Sequence, residues 1–141
     1  MSQVISIVIP VLNEALCLDR LLRSFDEHKD LDVIVVDGGS SDVTPAVMRK
    51  YPFVRYVHAP AGRGIQLNHG ATIAKGDIFW FLHADSELSQ GWKQEIRETI
   101  SLSRVIAGCF RLEFDDRHWL LRLFCFFSRW NHPLMTYGDQ G

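Results

Sequence analysis

Val4-Ile5-Ser6-Ile7-Val8-Ile9-Pro10-Val11, followed at once by Leu12-Asn13-Glu14, is the stretch on which the fold turns. Its residues are aliphatic and mostly β-branched, without the alternation of a half-wetted strand, so it reads as a strand buried on both faces. Outward from it, Leu18, Leu21, Leu22 and Phe25 fall at helical spacing, with Asp19, Arg20 and Arg23 between them. Val33-Ile34-Val35-Val36 is a second buried strand, stopped by the turn residues Asp37-Gly38-Gly39-Ser40-Ser41-Asp42. A short helix from Thr44 to Lys50 tolerates Pro45 in its first turn. Phe53 to His58 reads as a third strand.

Gly62-Arg63-Gly64 opens the next helix, which places Leu67, Gly70, Ala71 and Ala74 on one face and stops at Gly76. Asp77 to Leu82 is a strongly apolar fourth strand, and Trp92, Ile96 and Ile100 mark a helix after it. Val105 to Phe114 has strand character; His118 to Asn131 is apolar, aromatic and helical in pattern. This alternation predicts the α/β class: a mostly parallel central sheet with helices on both faces. In such sheets ligands bind beyond the carboxyl ends of the strands. Three polar clusters fall at those ends, Asn13-Glu14, Asp37-Gly38-Gly39-Ser40 and His83-Ala84-Asp85, and one composite pocket accounts for all three.

A chain of 141 residues is enough for a single domain with a real core. Its net charge of −2 argues against a nucleic-acid binder, whose footprint would be basic. Cys17, Cys109 and Cys125 are odd in number, widely spaced and without a Cys-x-x-Cys pair, which fits a reducing, cytoplasmic setting. The N-terminus shows no signal-peptide pattern, and no uncharged apolar run approaches the ~20 residues of a membrane span.

Each polar cluster has a plain reading beside a chemical one. Asp37 can accept hydrogen bonds from a nucleotide base or ribose, yet Asp-Gly-Gly-Ser is also an ordinary turn. Asp85 emerges where a strand reaches the surface; it can hold a divalent cation against a diphosphate or simply cap the next turn, with His83 an edge residue. Arg63 before a helix can meet phosphate or be a solvated arginine. Asp139, in Tyr137-Gly138-Asp139-Gln140-Gly141, can serve as a general base or be a polar tail.

Taken in order, four segments resemble glycosyltransferase family 2: Ile7 to Glu14, Val35 to Asp42, Gly62 to Ala71, and His83-Ala84-Asp85. The resemblance implies the GT-A fold, a Rossmann-like α/β/α sandwich. It implies an inverting, metal-dependent transferase that takes a sugar from a nucleotide-sugar donor, typically a UDP-sugar, to an acceptor hydroxyl on a glycan, a lipid-linked sugar or a small molecule. Pro10, Val11 and Glu14 would line the base pocket and Asp37 would hydrogen-bond the base. Gly38, Ser40, Arg63, His83 and Ala84 would lie along the donor. Asp85, matching the second aspartate of the family's Asp-x-Asp motif, would bind Mg2+ or Mn2+, and Asp139 would be the catalytic base. His83 departs from the family by replacing the first aspartate. With Gly-Arg-Gly-Ile-Gln-Leu-Asn and Gly-Asp-Gln-Gly, it resembles a short subgroup of the family. The family normally continues past the point matching Gly141 with a further helix and often a metal-binding histidine, so the resemblance implies a domain lacking its C-terminal part.

Around a helix from Arg117 to Asn131, Leu120, Leu123, Phe124 and Phe127 share one side, flanked by Trp119, Phe126, Trp130 and Leu121. An apolar arc of roughly 220° exceeds the ~100° that a surface helix needs. Burial on two sides explains it; so does contact with a partner chain or with the missing C-terminal part, or peripheral contact with the inner face of a membrane, where arginines suit an interfacial helix. Two other functions compete with transfer. One is a nucleotide-binding module without activity. The other is a nucleotidyltransferase, against which the absence of glycine in Pro10 to Glu14 weighs.

Overall fold

The computed structural model describes residues 3–25, 30–102, 105–108 and 110. They divide into two compact units, the first ending at Lys93 and the second beginning at Gln94. The first unit holds four strands and three helices in strict alternation: β1 (Ile5–Val11), α1 (Ala15–Arg23), β2 (Leu31–Asp37), α2 (Thr44–Met48), β3 (Arg55–His58), α3 (Arg63–Ile73) and β4 (Ile78–Phe81). A fourth helix, α4 (Trp92–Ser101), starts at its end. Within the second unit, α4 carries an i,i+4 pair in which Gln94 Nε2 donates to Glu98 Oε1 at 2.6 Å.

The strands form one sheet in the order β3-β2-β1-β4, and every pairing is parallel. β1 is central and all seven of its residues are buried, as its unbroken apolar run requires. From β1 the chain steps to β2 and then β3 in one direction, and afterwards returns across the sheet to β4. Crossovers between parallel strands are right-handed, so this reversal puts α1 and α2 on one face and α3 on the other. Side chains alternate along each strand accordingly. Val8, Ile34 and Val36 form a core with Leu67, Ile73 and Ala74 of α3, whereas Ile7, Ile9, Val33 and Val35 are buried on the opposite face. The expected α/β/α layering is present.

Several local expectations change. β3 begins at Arg55, not Phe53, because Val54 N–H closes a turn on Tyr51 O at 3.0 Å around Pro52. α2 ends at Met48, ahead of Arg49 and Lys50. β4 is not enclosed on both faces: Phe79 and Phe81 are each 50% exposed, on the strand that is outermost among the described residues, in register with Ser6 and Val8 on the face where α3 packs over β1 and β2. On α3, Gln66 is buried and Ile73 packs on the core, positions the apolar pattern passed over. No strand occurs at 105–108 or 110; the rest of the 105–114 stretch and the helix expected over 117–131 lie outside the described residues.

Gly70 and Gly76 owe their presence to close approach. A Cβ on Gly70 would stand 2.3 Å from Val8 Cγ1, so α3 rests directly on the sheet. One on Gly76 would stand 2.5 Å from the Val4 carbonyl oxygen. Gly76 is therefore not a left-handed helix stop; α3 has already ended at Ala74, in extended conformation.

At the amino ends of the strands, Asp32 ties the layers together. Its carboxylate accepts from Ser6 Oγ at 2.7 Å, Lys75 N at 2.9 Å and Arg55 Nη1 at 2.9 Å. Arg55 Nη2 also donates to Ile73 O at 2.8 Å, a cation at the carboxyl end of α3 where the helix dipole favours it. Burial pushes the Asp32 carboxyl up, but the Ser6, Lys75 and Arg55 hydrogen bonds together outweigh it and hold it below its ordinary value.

Two outcomes follow from this packing. Gly70→Ala forces α3 off Val8 and should cost about 1–3 kcal/mol, the usual penalty of overpacking, read as a lower midpoint in urea unfolding. Asp32→Asn should cost about 1–3 kcal/mol at neutral pH. Because the folded carboxyl titrates lower than the unfolded one, its contribution is complete above the ordinary carboxylate range and lost as pH falls through the folded value. The gap between wild type and variant should therefore close on acidification, measured as thermal midpoints across pH.

Candidate functional site

All four strands run the same way, so their carboxyl ends share one edge of the sheet. The reversal of chain direction falls between β1 and β4, and the crevice of an open α/β sheet opens at such a switch point. The segments that follow these two strands carry Glu14 on one side and His83-Ala84-Asp85 on the other.

Asn13 builds the first wall. Its backbone is left-handed at φ 57°, a conformation asparagine tolerates better than most residues. The side chain then reaches the loop after β2: Asn13 Oδ1 accepts from Ser41 N at 2.8 Å and Asp42 N at 3.2 Å, while Asn13 N donates to Ser40 Oγ at 2.9 Å. Asp42 in turn accepts at Oδ2 from Ala15 N, 3.4 Å away, capping α1 from a different loop. The loops after β1 and β2 are thereby laced into one surface.

Asp37 is the anchor beneath them. It is fully buried, and its Oδ1 accepts from Gly39 N at 3.0 Å, Ser40 N at 2.7 Å and Ser40 Oγ at 2.7 Å. The Tyr56 hydroxyl from β3 donates to Oδ2. Burial pushes this carboxyl up, but the Tyr56, Ser40 and Gly39 bonds prevail and its net shift is downward. Tyr56 is pushed the other way, upward, by burial and by the Asp37 charge. With three donors on Oδ1 and a hydroxyl on Oδ2, Asp37 is satisfied from within the protein and organises the loop.

Glu14 reports on the other side of the crevice. Burial and the neighbouring Asp85 charge push its carboxyl above the ordinary value; the Leu12 backbone, His83 and Arg63 pull it partly back. Asp85, His83 and Arg63 are thus each within electrostatic reach of Glu14, although the four come from the loop after β1, the start of α3 and the loop after β4. Arg63 is the first residue of α3. His83 is half-buried, Ala84 is buried and Asp85 is exposed on a turn closed by Ser86 N donating to His83 O at 3.2 Å.

Of the expected site residues, Glu14, Arg63, His83 and Asp85 come together. Gly38 and Ser40 belong to the adjoining loop, Pro10 and Val11 are buried at the end of β1, and Asp139 lies outside the described residues. Among the described residues, no group of three or more His, Cys, Asp or Glu side chains is placed to hold a metal ion. Sequence reasoning missed Tyr56, an ordinary strand residue by pattern, and Gln66, a polar residue on an otherwise apolar helix face. Asn13 was noticed only as part of a polar cluster.

Comparison with known proteins gives these residues a context. The family model described as Glycosyl transferase family 2 matches residues 6–139. An uncharacterised protein of Mycobacterium tuberculosis is 31% identical over 127 residues, covering 84% of this chain and 40% of its own. The GalNAc(5)-diNAcBac-PP-undecaprenol beta-1,3-glucosyltransferase of Campylobacter jejuni is 31% identical over 99 residues, covering 62% of this chain and 31% of its own. The chain therefore spans less than half the length of the curated relatives it matches. Among solved structures, glucosyl-3-phosphoglycerate synthase from Mycobacterium tuberculosis, in complex with Mn2+, UDP and glucosyl-3-phosphoglycerate, superposes with a TM-score of 0.53 at 27% identity, over 59% of this chain and 34% of that one. The sheet order, the crevice at its switch point and these matches agree: the chain belongs to glycosyltransferase family 2 and has the GT-A fold.

Proposed function

We propose that this chain carries the donor-binding crevice of an inverting, metal-dependent glycosyltransferase that uses a nucleotide-sugar, with a UDP-sugar the first candidate. The observation that carries the reading is that the parallel topology brings the segments carrying Glu14, Arg63 and His83-Ala84-Asp85 to the carboxyl end of the sheet beside its switch point, with Asp85, His83 and Arg63 each within electrostatic reach of Glu14. The solved relative in complex with UDP and Mn2+ supports it.

The residues fit a divalent cation shared with a ligand better than one caged by protein. The Asp85 charge adds to the cost of an ionised Glu14, and a cation beside Asp85 would relieve it. Mg2+ is often held by one or two carboxylates with substrate phosphates completing its shell. When bound, Mg2+ or Mn2+ would supply neutralisation of the departing diphosphate. Arg63 would add a second positive charge along the phosphates, and the laced loops of Asn13, Gly38 and Ser40 would support the nucleoside. Pro10 and Val11 would back the base pocket from within β1, and Asp37 would hold its floor by fixing the loop that follows β2. Asp139 is proposed as the base that deprotonates the acceptor hydroxyl.

The acceptor belongs to the same proposal. The Campylobacter relative's name contains a polyprenyl diphosphate, and a lipid-linked acceptor would suit peripheral membrane contact through 117–131. No helix of the described residues is long and apolar enough to cross a membrane.

Calorimetric titration of the full chain with UDP-sugars and GDP-sugars in the presence of Mn2+ tests the reading. Wild type should bind one of them. Asp85→Asn should weaken binding on the order of tenfold or more, equivalent to about 1.4 kcal/mol. Equal affinity in wild type and variant would overturn the role of Asp85, and failure of every nucleotide-sugar to bind would overturn the function. Binding without transfer to any acceptor would instead identify a nucleotide-binding module.

A further inference from the structure

Gln66 sits in the second turn of α3 with its side chain only 4% exposed, an unusual depth for an unpaired-looking polar residue on a helix that packs on a sheet. Its amide is fully used. Nε2 donates to Val11 O at 2.9 Å and to Val36 O at 2.8 Å, and Oε1 accepts from Gly62 N at 3.3 Å. Those three partners are the end of β1, the end of β2 and the residue just before α3. Val11 O also takes Gly38 N at 2.9 Å, so the first residue after β2 is drawn into the same knot. A Cβ on Gly38 would stand 3.2 Å from Gln66 Oε1 and 3.2 Å from Ala61 Cα, which leaves little slack between the loops.

The chemistry admits few substitutes. A primary amide offers two donors and an acceptor at one end of a flexible stem. Two carbonyls and one N–H face it here, which fixes its orientation as well. A glutamate would set carboxylate oxygen against two carbonyl oxygens; an asparagine is one methylene short.

We infer that Gln66 is a positioning residue: it sets the relative placement of the loops 12–14, 38–42 and 59–62, from which the proposed crevice presents Glu14, Ser40 and, one residue on, Arg63. The inference rests on the donor-binding reading for its consequence on affinity, but the placement itself stands apart from any ligand. Because Gln66 touches only protein, it acts through the loops and not on a substrate.

The test uses the full chain with Gln66→Met, which keeps the volume and removes the hydrogen bonds. Amide hydrogen exchange without ligand should speed up at Gly62 and at Gly38 to Ser40, and the affinity for UDP with Mn2+ should fall on the order of tenfold. Phe25→Leu, a core change at the far end of α1, serves as the control for lost stability and should move neither readout at temperatures where both variants are folded. Unchanged exchange in Gln66→Met overturns the inference. So does faster exchange with unchanged affinity, or an equal response from Phe25→Leu, either of which makes Gln66 a packing residue only. If wild type itself binds no nucleotide, the function proposed above falls while the exchange measurement still decides the placement. Should Gln66→Met fail to fold, Gly38→Ala presses on the same amide and should reproduce both changes; no change in it overturns the inference.

Discussion

A parallel strand cannot return to its neighbour through a tight turn, and that constraint underlies the rest of this molecule. Each of β2, β3 and β4 must be reached by a crossover, and each crossover must be right-handed. Extending the sheet from β1 to β3 and then returning to β4 leaves the two loops beside β1 diverging, one toward α1 and the other on past β4. The crevice between them is a product of connectivity before any side chain is chosen. The sequence then fills its walls with groups that backbone direction has already aimed at one edge.

Glu14 in those walls is held at an electrostatic cost. Burial and the Asp85 charge raise the Glu14 carboxyl, with Arg63 and His83 offsetting only part of that. At the opposite end of the strands another half-buried carboxylate is treated differently: Ser6, Arg55 and the Lys75 N–H satisfy Asp32, and its carboxyl titrates low. At the carboxyl ends of the strands Asp37 is satisfied in the same way as Asp32, whereas Glu14 is raised. Perturbed carboxylates in a cleft are a mark of functional sites, where paired ones elsewhere mark structure.

Strands and helices were legible wherever burial is decided by a long apolar run. β1 and β2 lie in the middle of the sheet, and their unbroken aliphatic stretches say so. The edges were less legible. β4 has the composition of an enclosed strand, yet Phe79 and Phe81 stand half exposed, because position in the sheet is set by topology and composition cannot report it. Gln66 was hidden for the opposite reason: a polar side chain on an apolar face normally points to solvent, and only the convergence of two strand ends from distant parts of the chain supplies the carbonyls that bury it. Gly76 carried a correct signal with the wrong cause, a glycine chosen for proximity to β1 and not for a left-handed turn. Glu14 and Asp85 were singled out by strand ends and resemblance; the influence of the Asp85 charge on Glu14 required the fold.

The saturation of Asp37 bears on the entropy of recognition. A glycine-containing loop such as Gly38-Gly39-Ser40 would ordinarily lose much conformational freedom when it closes around a ligand. Here one buried carboxylate gathers two of its N–H groups and a hydroxyl, and Asn13 gathers the next two N–H groups. The ordering is complete when the domain folds. A ligand arriving at this surface therefore meets a loop with little freedom left to surrender, and more of its contact energy is retained as affinity.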